Sequence, residues 1–139
     1  MSAMQLQSLP VVLFRHAGQC FAIEAQYVSR QGLVDDLQDL AVISFAGLFS
    51  PGKPTTEPAI AWLELRSSQA RRWRLSLQAS AELIELPADC IYALPTSLQV
   101  RRQFSAVQAL AFYQNELVAI LDVRALQHLA DTLIQELDS

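Results

Sequence analysis

Val11-Val12-Leu13-Phe14-Arg15-His16-Ala17-Gly18-Gln19-Cys20-Phe21-Ala22-Ile23 is two β-prone runs with a turn between them. Gly18 supplies the permissive backbone that a tight hairpin requires. Beyond it, Phe21, Ile23, Ala25 and Tyr27 alternate with Ala22, Glu24 and Gln26. That period of two predicts a half-buried strand running as far as Val28.

Segments of the same kind recur downstream. Residues 60–65 read as a strand, followed by a turn at Ser67-Ser68. In Trp73-Arg74-Leu75-Ser76-Leu77 the apolar and polar residues alternate strictly, which puts Trp73 in a core and the neighbouring arginines on an outer face. Residues 81–86 form another short strand ended by Pro87, and residues 107–113 and 116–121 read as a closing hairpin around Gln114-Asn115. Between these, residues 32–40 set Asp35, Asp36 and Asp39 around Leu33, Leu37 and Leu40, the spacing of a short helical turn. Residues 41–49 are apolar, and residues 50–58 are a loop rich in proline. Short strands at close intervals predict an all-β barrel or sandwich rather than alternating β and α units. The period changes only at the end. From Asp122, a good N-cap, Val123, Leu126, Leu129, Leu133 and Leu137 recur every three or four residues, which predicts one amphipathic helix. No internal repeat is visible in the sequence.

Composition narrows the function. The chain has 139 residues, enough for one core without staples. Apolar residues make up 52% and charged residues 17%, which excludes a disordered linker. A net charge of −4 opposes general nucleic-acid binding. Met1 to Pro10 lacks the pattern of a secretory signal and no stretch has the length of a membrane span, so a cytoplasmic protein is expected. Cys20 and Cys90 are far apart and outside any CxxC pair, and His16 and His128 are equally scattered. No metal-ligand spacing results, and no cofactor is expected.

Catalytic patterns are missing as well: there is no GxSxG, no phosphate-binding glycine loop and no HExxH. Cys90 with His16 or His128 is the one conceivable thiol–imidazole pair, and it would belong to a small β-barrel enzyme or ligand-binding protein. Arg66, Arg71, Arg72 and Arg74 with Trp62 and Trp73 could stack on single-stranded nucleic acid, with Arg101-Arg102 as a second basic pair. Strand alternation separates Trp73 from Arg74, which favours a solvated or protein-contacting surface. A small, weakly charged, apolar β protein without catalytic groups points instead to a protein-interaction module.

The ordered set of strands resembles the CheW-like adaptor family. The hairpin from Leu13 to Ile23 leading to Val28 is similar to that family's opening strand, Gly turn, aromatic-Gly/Ala-Ile and Val. Trp73-Arg74-Leu75-Ser76-Leu77, Glu82-Leu83-Ile84-Glu85-Leu86-Pro87, Ile91 and Leu94-Pro95 resemble its second-half strands. The run from Ala109 to Asp122 with Leu126 resembles its closing hairpin and C-terminal helix. Two departures stand out. The family's Arg-Gly pair on a central strand is matched only by Ala46-Gly47, without the arginine, and the acid after its Gly-Leu strand is missing from Gln78-Ala79-Ser80-Ala81. An alternative registration places residues 43–48 on a later strand ending in a Leu-Gly-Leu type loop. The stretches 28–41 and 49–60 are also short, as if the first barrel were trimmed.

The resemblance implies a mainly β fold, a CheW-like pair of small five-stranded β-barrels (SH3-like subdomains) with a C-terminal helix. Residues 11–130 would form a single domain of two intertwined barrels, and residues 131–139 the end of the helix and an acidic tail. It also implies a non-enzymatic adaptor in bacterial chemosensory signalling that binds a chemotaxis-type histidine kinase regulatory domain, a chemoreceptor cytoplasmic tip, or both. No nucleic acid, membrane insertion or small-molecule substrate is then expected. The residues matching the family's partner-contacting strand end are Val28, its neighbours Tyr27 and Arg30, and Gly32.

Overall fold

The computed structural model describes residues 7–33, 42–50, 58–66, 72–94 and 105–138. Among these, ten strands form two sheets. The first strands are β1 (Ser8–His16), β2 (Gln19–Glu24), β3 (Val28–Leu33), β4 (Val42–Ser44) and β5 (Ala61–Arg66). They are followed by β6 (Arg72–Leu77), β7 (Glu82–Pro87), β8 (Ile91–Ala93), β9 (Val107–Tyr113) and β10 (Glu116–Leu121). Two helices complete the chain, α1 (Phe45–Phe49) and α2 (Val123–Asp138). The larger sheet has the order β7-β1-β2-β10-β9-β8 and the smaller one β3-β5-β6-β4. The architecture is the expected mainly β pair with a C-terminal helix, divided six and four among the described residues.

The turns follow from local chemistry. Ala17 and Gly18 both have positive φ, 53° and 77°, as do Gln114 and Asn115, 50° and 64°. Two consecutive left-handed residues make a type I′ turn, whose twist matches the flanking strands. Asp122 caps α2 by accepting a hydrogen bond from the Arg124 N–H at 2.9 Å.

The predicted strand from Cys20 to Val28 is corrected in two ways. It breaks at a 3₁₀ turn, Ala25–Tyr27, which carries the chain from the first sheet to the second. It is also buried on both faces, because β2 lies between β1 and β10. Phe21 and Ile23 enter one core cluster, and Cys20 and Ala22 enter another.

That second cluster, with Val11, Leu13, Leu86, Ala111, Val118 and Ile120, comes entirely from strands of the larger sheet, which therefore curls around its own interior. The first cluster lies between this sheet, the smaller sheet and both helices. Phe45 of α1 locks it: its ring meets Phe14 edge-on at 4.9 Å and Phe21 at 5.1 Å.

Of the apolar 41–49 stretch, the described residues 42–49 are a three-residue strand followed by a one-turn helix capped by the Ser44 side chain. Ala46-Gly47 therefore lies on a helix, and its match to a central strand fails. A repeat invisible in the sequence emerges here. Strand, 3₁₀ turn and strand occur at β2–β3 and again at β7–β8, where Ala88–Cys90 is the turn; strand, polar cap and helix occur at β4–α1 and again at β10–α2. The short helical turn expected over 32–40 begins wrongly, since Gly32 and Leu33 belong to β3. Asp35, Asp36 and Asp39 lie outside the described residues.

Candidate functional site

β3 carries the four sequence-predicted partner residues or adjoins them. Tyr27 closes the 3₁₀ turn and is 38% exposed. Val28 is half-buried against the central core, and its N–H donates to the Ala25 carbonyl. Arg30 is exposed, opposite Glu64 of β5, and Gly32 lies opposite Trp62. A bulge between Val28 and Arg30 turns Ser29 inward, where its hydroxyl donates to Glu64 Oε2 at 2.7 Å.

Behind this strand stands a buried polar cluster. Glu64 is 2% exposed and lies 3.7 Å from the Arg74 Nε and 3.8 Å from an Arg72 nitrogen. The Arg74 guanidinium sits 4.0 Å above the Trp62 ring, and the Trp62 N–H donates to the Leu33 carbonyl at 2.8 Å. Gly32 makes room for that indole: a Cβ there would lie 2.7 Å from Trp62 Cζ2. The strand offered as a partner surface is thus pinned by Ser29 at its start and by Trp62 at its end.

This arrangement corrects the sequence reading of the arginines. Arg74 was expected on a solvated outer face, but it is 2% exposed, paired with Glu64 and stacked on Trp62. Alternation correctly separated it from Trp73; both faces of the strand are simply covered. Trp62 and Trp73 are 2% and 5% exposed, so neither offers a ring for base stacking. Arg66 and Arg72 remain exposed, whereas Arg71, Arg101 and Arg102 lie outside the described residues.

Among the described residues four strands end the two sheets: β7 and β8 in the larger, β3 and β4 in the smaller. β7 is blunted by exposed Glu82 and Glu85 and by Pro87, and β8 and β4 have three residues each. β3 has six residues with neither proline nor acid. A cavity of about 210 Å³ opens beside its end, walled by Gly32, Leu33, Ala61 and Trp62. That is below the usual ligand-pocket range of about 300–1,000 Å³.

The thiol–imidazole pairing finds no support in the placement of its members. Cys90 lies in the 3₁₀ turn before β8, where partial desolvation and the Asp89 carboxylate push its pKa up, away from a reactive thiolate. His16 packs against the Phe45 and Phe49 rings, and His128 is exposed on α2. Among the described residues no three His, Cys, Asp or Glu converge as metal ligands, and no helix is long and apolar enough to cross a membrane.

Sequence reasoning missed one surface. Tyr92, Phe112 and Leu117 are 61%, 54% and 56% exposed, and Phe112 lies directly opposite Leu117. Their apolar character reads as core until the sheet's edge is known.

No family model matches the sequence, and no curated protein is similar to it. Among solved structures the fold is similar to the scaffolding protein TtCheW from Thermoanaerobacter tengcongensis, with a TM-score of 0.64 and 15% identity. The match covers 84% of this chain and 90% of that one. The chain has a CheW-like fold.

Proposed function

We propose that this chain is a non-enzymatic adaptor in bacterial chemosensory signalling. It acts in the cytoplasm and binds the regulatory domain of a chemotaxis-type histidine kinase, the cytoplasmic tip of a chemoreceptor, or both. Tyr27, Val28, Arg30 and Gly32 form the contact, within a single domain of residues 11–130.

The observation that carries this reading is the pinned edge of β3, with which no described strand pairs, in a fold similar to that of a scaffolding protein over 84% of this chain. A sheet edge offers backbone donors and acceptors to an added strand, and Tyr27 supplies an exposed aromatic anchor beside it. Edge, anchor and rigid backing are what a docking module needs, and none of them performs chemistry.

The test uses the full chain with two purified proteins, a chemotaxis-type kinase regulatory domain and a soluble receptor tip, titrated separately by calorimetry. Saturable binding to at least one is expected. Tyr27→Ala and Arg30→Glu should each weaken it about tenfold or more while leaving the circular dichroism unchanged. Failure to bind either protein overturns the reading.

A further inference from the structure

We propose that the β3 edge takes up an extended acidic segment of a protein partner as a fifth strand of the smaller sheet. This rests on the adaptor reading and adds the chemistry of the partner.

Two independent observations point there. The first is the edge itself. The Val28 N–H and the Leu33 carbonyl are already used, by Ala25 and Trp62; between them, alternate N–H and C=O groups of β3 point away from β5, and no described strand pairs with them. The second is charge. Arg30, Arg66 and Arg72 lie by register on the same face of the smaller sheet as the buried Glu64 and Arg74. Glu64 and Arg74 are buried together and largely cancel. Arg30, Arg66 and Arg72 remain exposed, and the Arg72 side chain is 61% so. Among the described residues neither Arg30 nor Arg66 has an ion-pair partner. A chain of net charge −4 thus places one exposed cation, Arg30, on the β3 edge and two more, Arg66 and Arg72, one and two strands further in.

The register sharpens the point. Arg66 lies directly opposite Arg72 across β5 and β6. Like charges so placed destabilise a sheet, and an anionic partner relieves the repulsion. An added strand lies about 4.8 Å from β3, so its side chains meet Arg30 directly and Arg66 one strand further in. The first distance, about 4.8 Å, falls within the Debye length of about 8 Å at physiological salt, and the second, about 9.6 Å, lies just beyond it, so Arg30 contributes most and Arg66 more weakly.

The same face does not suit nucleic acid. Stacking needs open aromatic rings, and Trp62 is 2% exposed beneath Arg74. An open backbone edge, by contrast, is read only by another extended chain.

The test titrates the full chain with three fluorescein-labelled ten-residue peptides: alternating Glu-Val, alternating Lys-Val, and Glu-Val methylated on alternate backbone nitrogens. A thymidine 20-mer is the fourth probe. The Glu-Val peptide should bind, perturb the amide resonances of β3 and lose at least tenfold in affinity between 50 and 300 mM NaCl. The Lys-Val and methylated peptides should bind at least tenfold more weakly. Arg30→Glu/Arg66→Glu should invert the preference between the Glu-Val and Lys-Val peptides. Equal binding of those two, unchanged β3 resonances, or tighter binding of the oligonucleotide overturns the proposal. Kinase or receptor binding without binding of the Glu-Val peptide overturns the acidic strand and leaves the adaptor intact. Glu-Val binding with neither protein bound does the reverse.

Discussion

Replacing Gly32 by alanine tests how the β3 edge is held. The new Cβ would stand 2.7 Å from Trp62 Cζ2 and 3.0 Å from Cε2, well inside van der Waals contact. Trp62 has little room to retreat, since it is 2% exposed, hydrogen-bonded to Leu33 and covered by Arg74. Overpacking of this kind costs about 1–3 kcal/mol. Losing the indole hydrogen bond adds about 1 kcal/mol. Alanine in extended backbone returns about 0.5–1 kcal/mol, because it restricts the unfolded chain. The net loss is about 2 kcal/mol, or about 6–8 °C in Tm for a chain of this size. Urea unfolding followed by tryptophan fluorescence measures it, with Gly32→Ala in a Trp62→Ala background as the second arm. There the clash is absent, and the alanine should be neutral or stabilising. A cost that persists without the indole, or a single variant within about 0.5 kcal/mol of the parent, refutes the steric account.

Three further outcomes are expected. Glu64→Ala strands the buried Arg74 charge and should destabilise by about 3–5 kcal/mol, while Glu64→Leu/Arg74→Met should recover most of it; chemical denaturation of both decides. Asp122→Ala removes the cap of α2 and should cost about 1 kcal/mol, with the earliest loss of amide protection at residues 123–126. Burial pushes the Cys20 thiol up from its ordinary 9.0, so the folded state disfavours the thiolate. Its contribution is complete below pH 9 and is lost as pH rises through the folded value, so the urea midpoint should fall on the alkaline side and fall less in Cys20→Ala.

The tight turns, the closing hairpin and the C-terminal helix were legible because each depends on neighbours in sequence. Gly18 permits its own backbone angle, and Asp122 reaches an amide two residues away. The strand pairings hidden between them were not legible. Alternation in β2 and β6 reads as one wet face and one dry face. It cannot reveal that β10 arrives parallel to β2 from the far end of the chain, or that Glu64 waits opposite Arg74. The candidate site divided in the same way. The sequence pointed to Tyr27, Val28, Arg30 and Gly32 through a resemblance, while the reason Gly32 must be glycine is an indole thirty positions away.

By itself, then, the sequence determined the β-rich class, the turns and the terminal helix, since local backbone preferences and hydrophobic period are properties of short stretches. Tertiary structure alone decided which strands are buried twice, which arginine is a core residue, and which strands end the sheets among the described residues. Those outcomes depend on the long-range pairing of segments, and no window of the chain contains both partners.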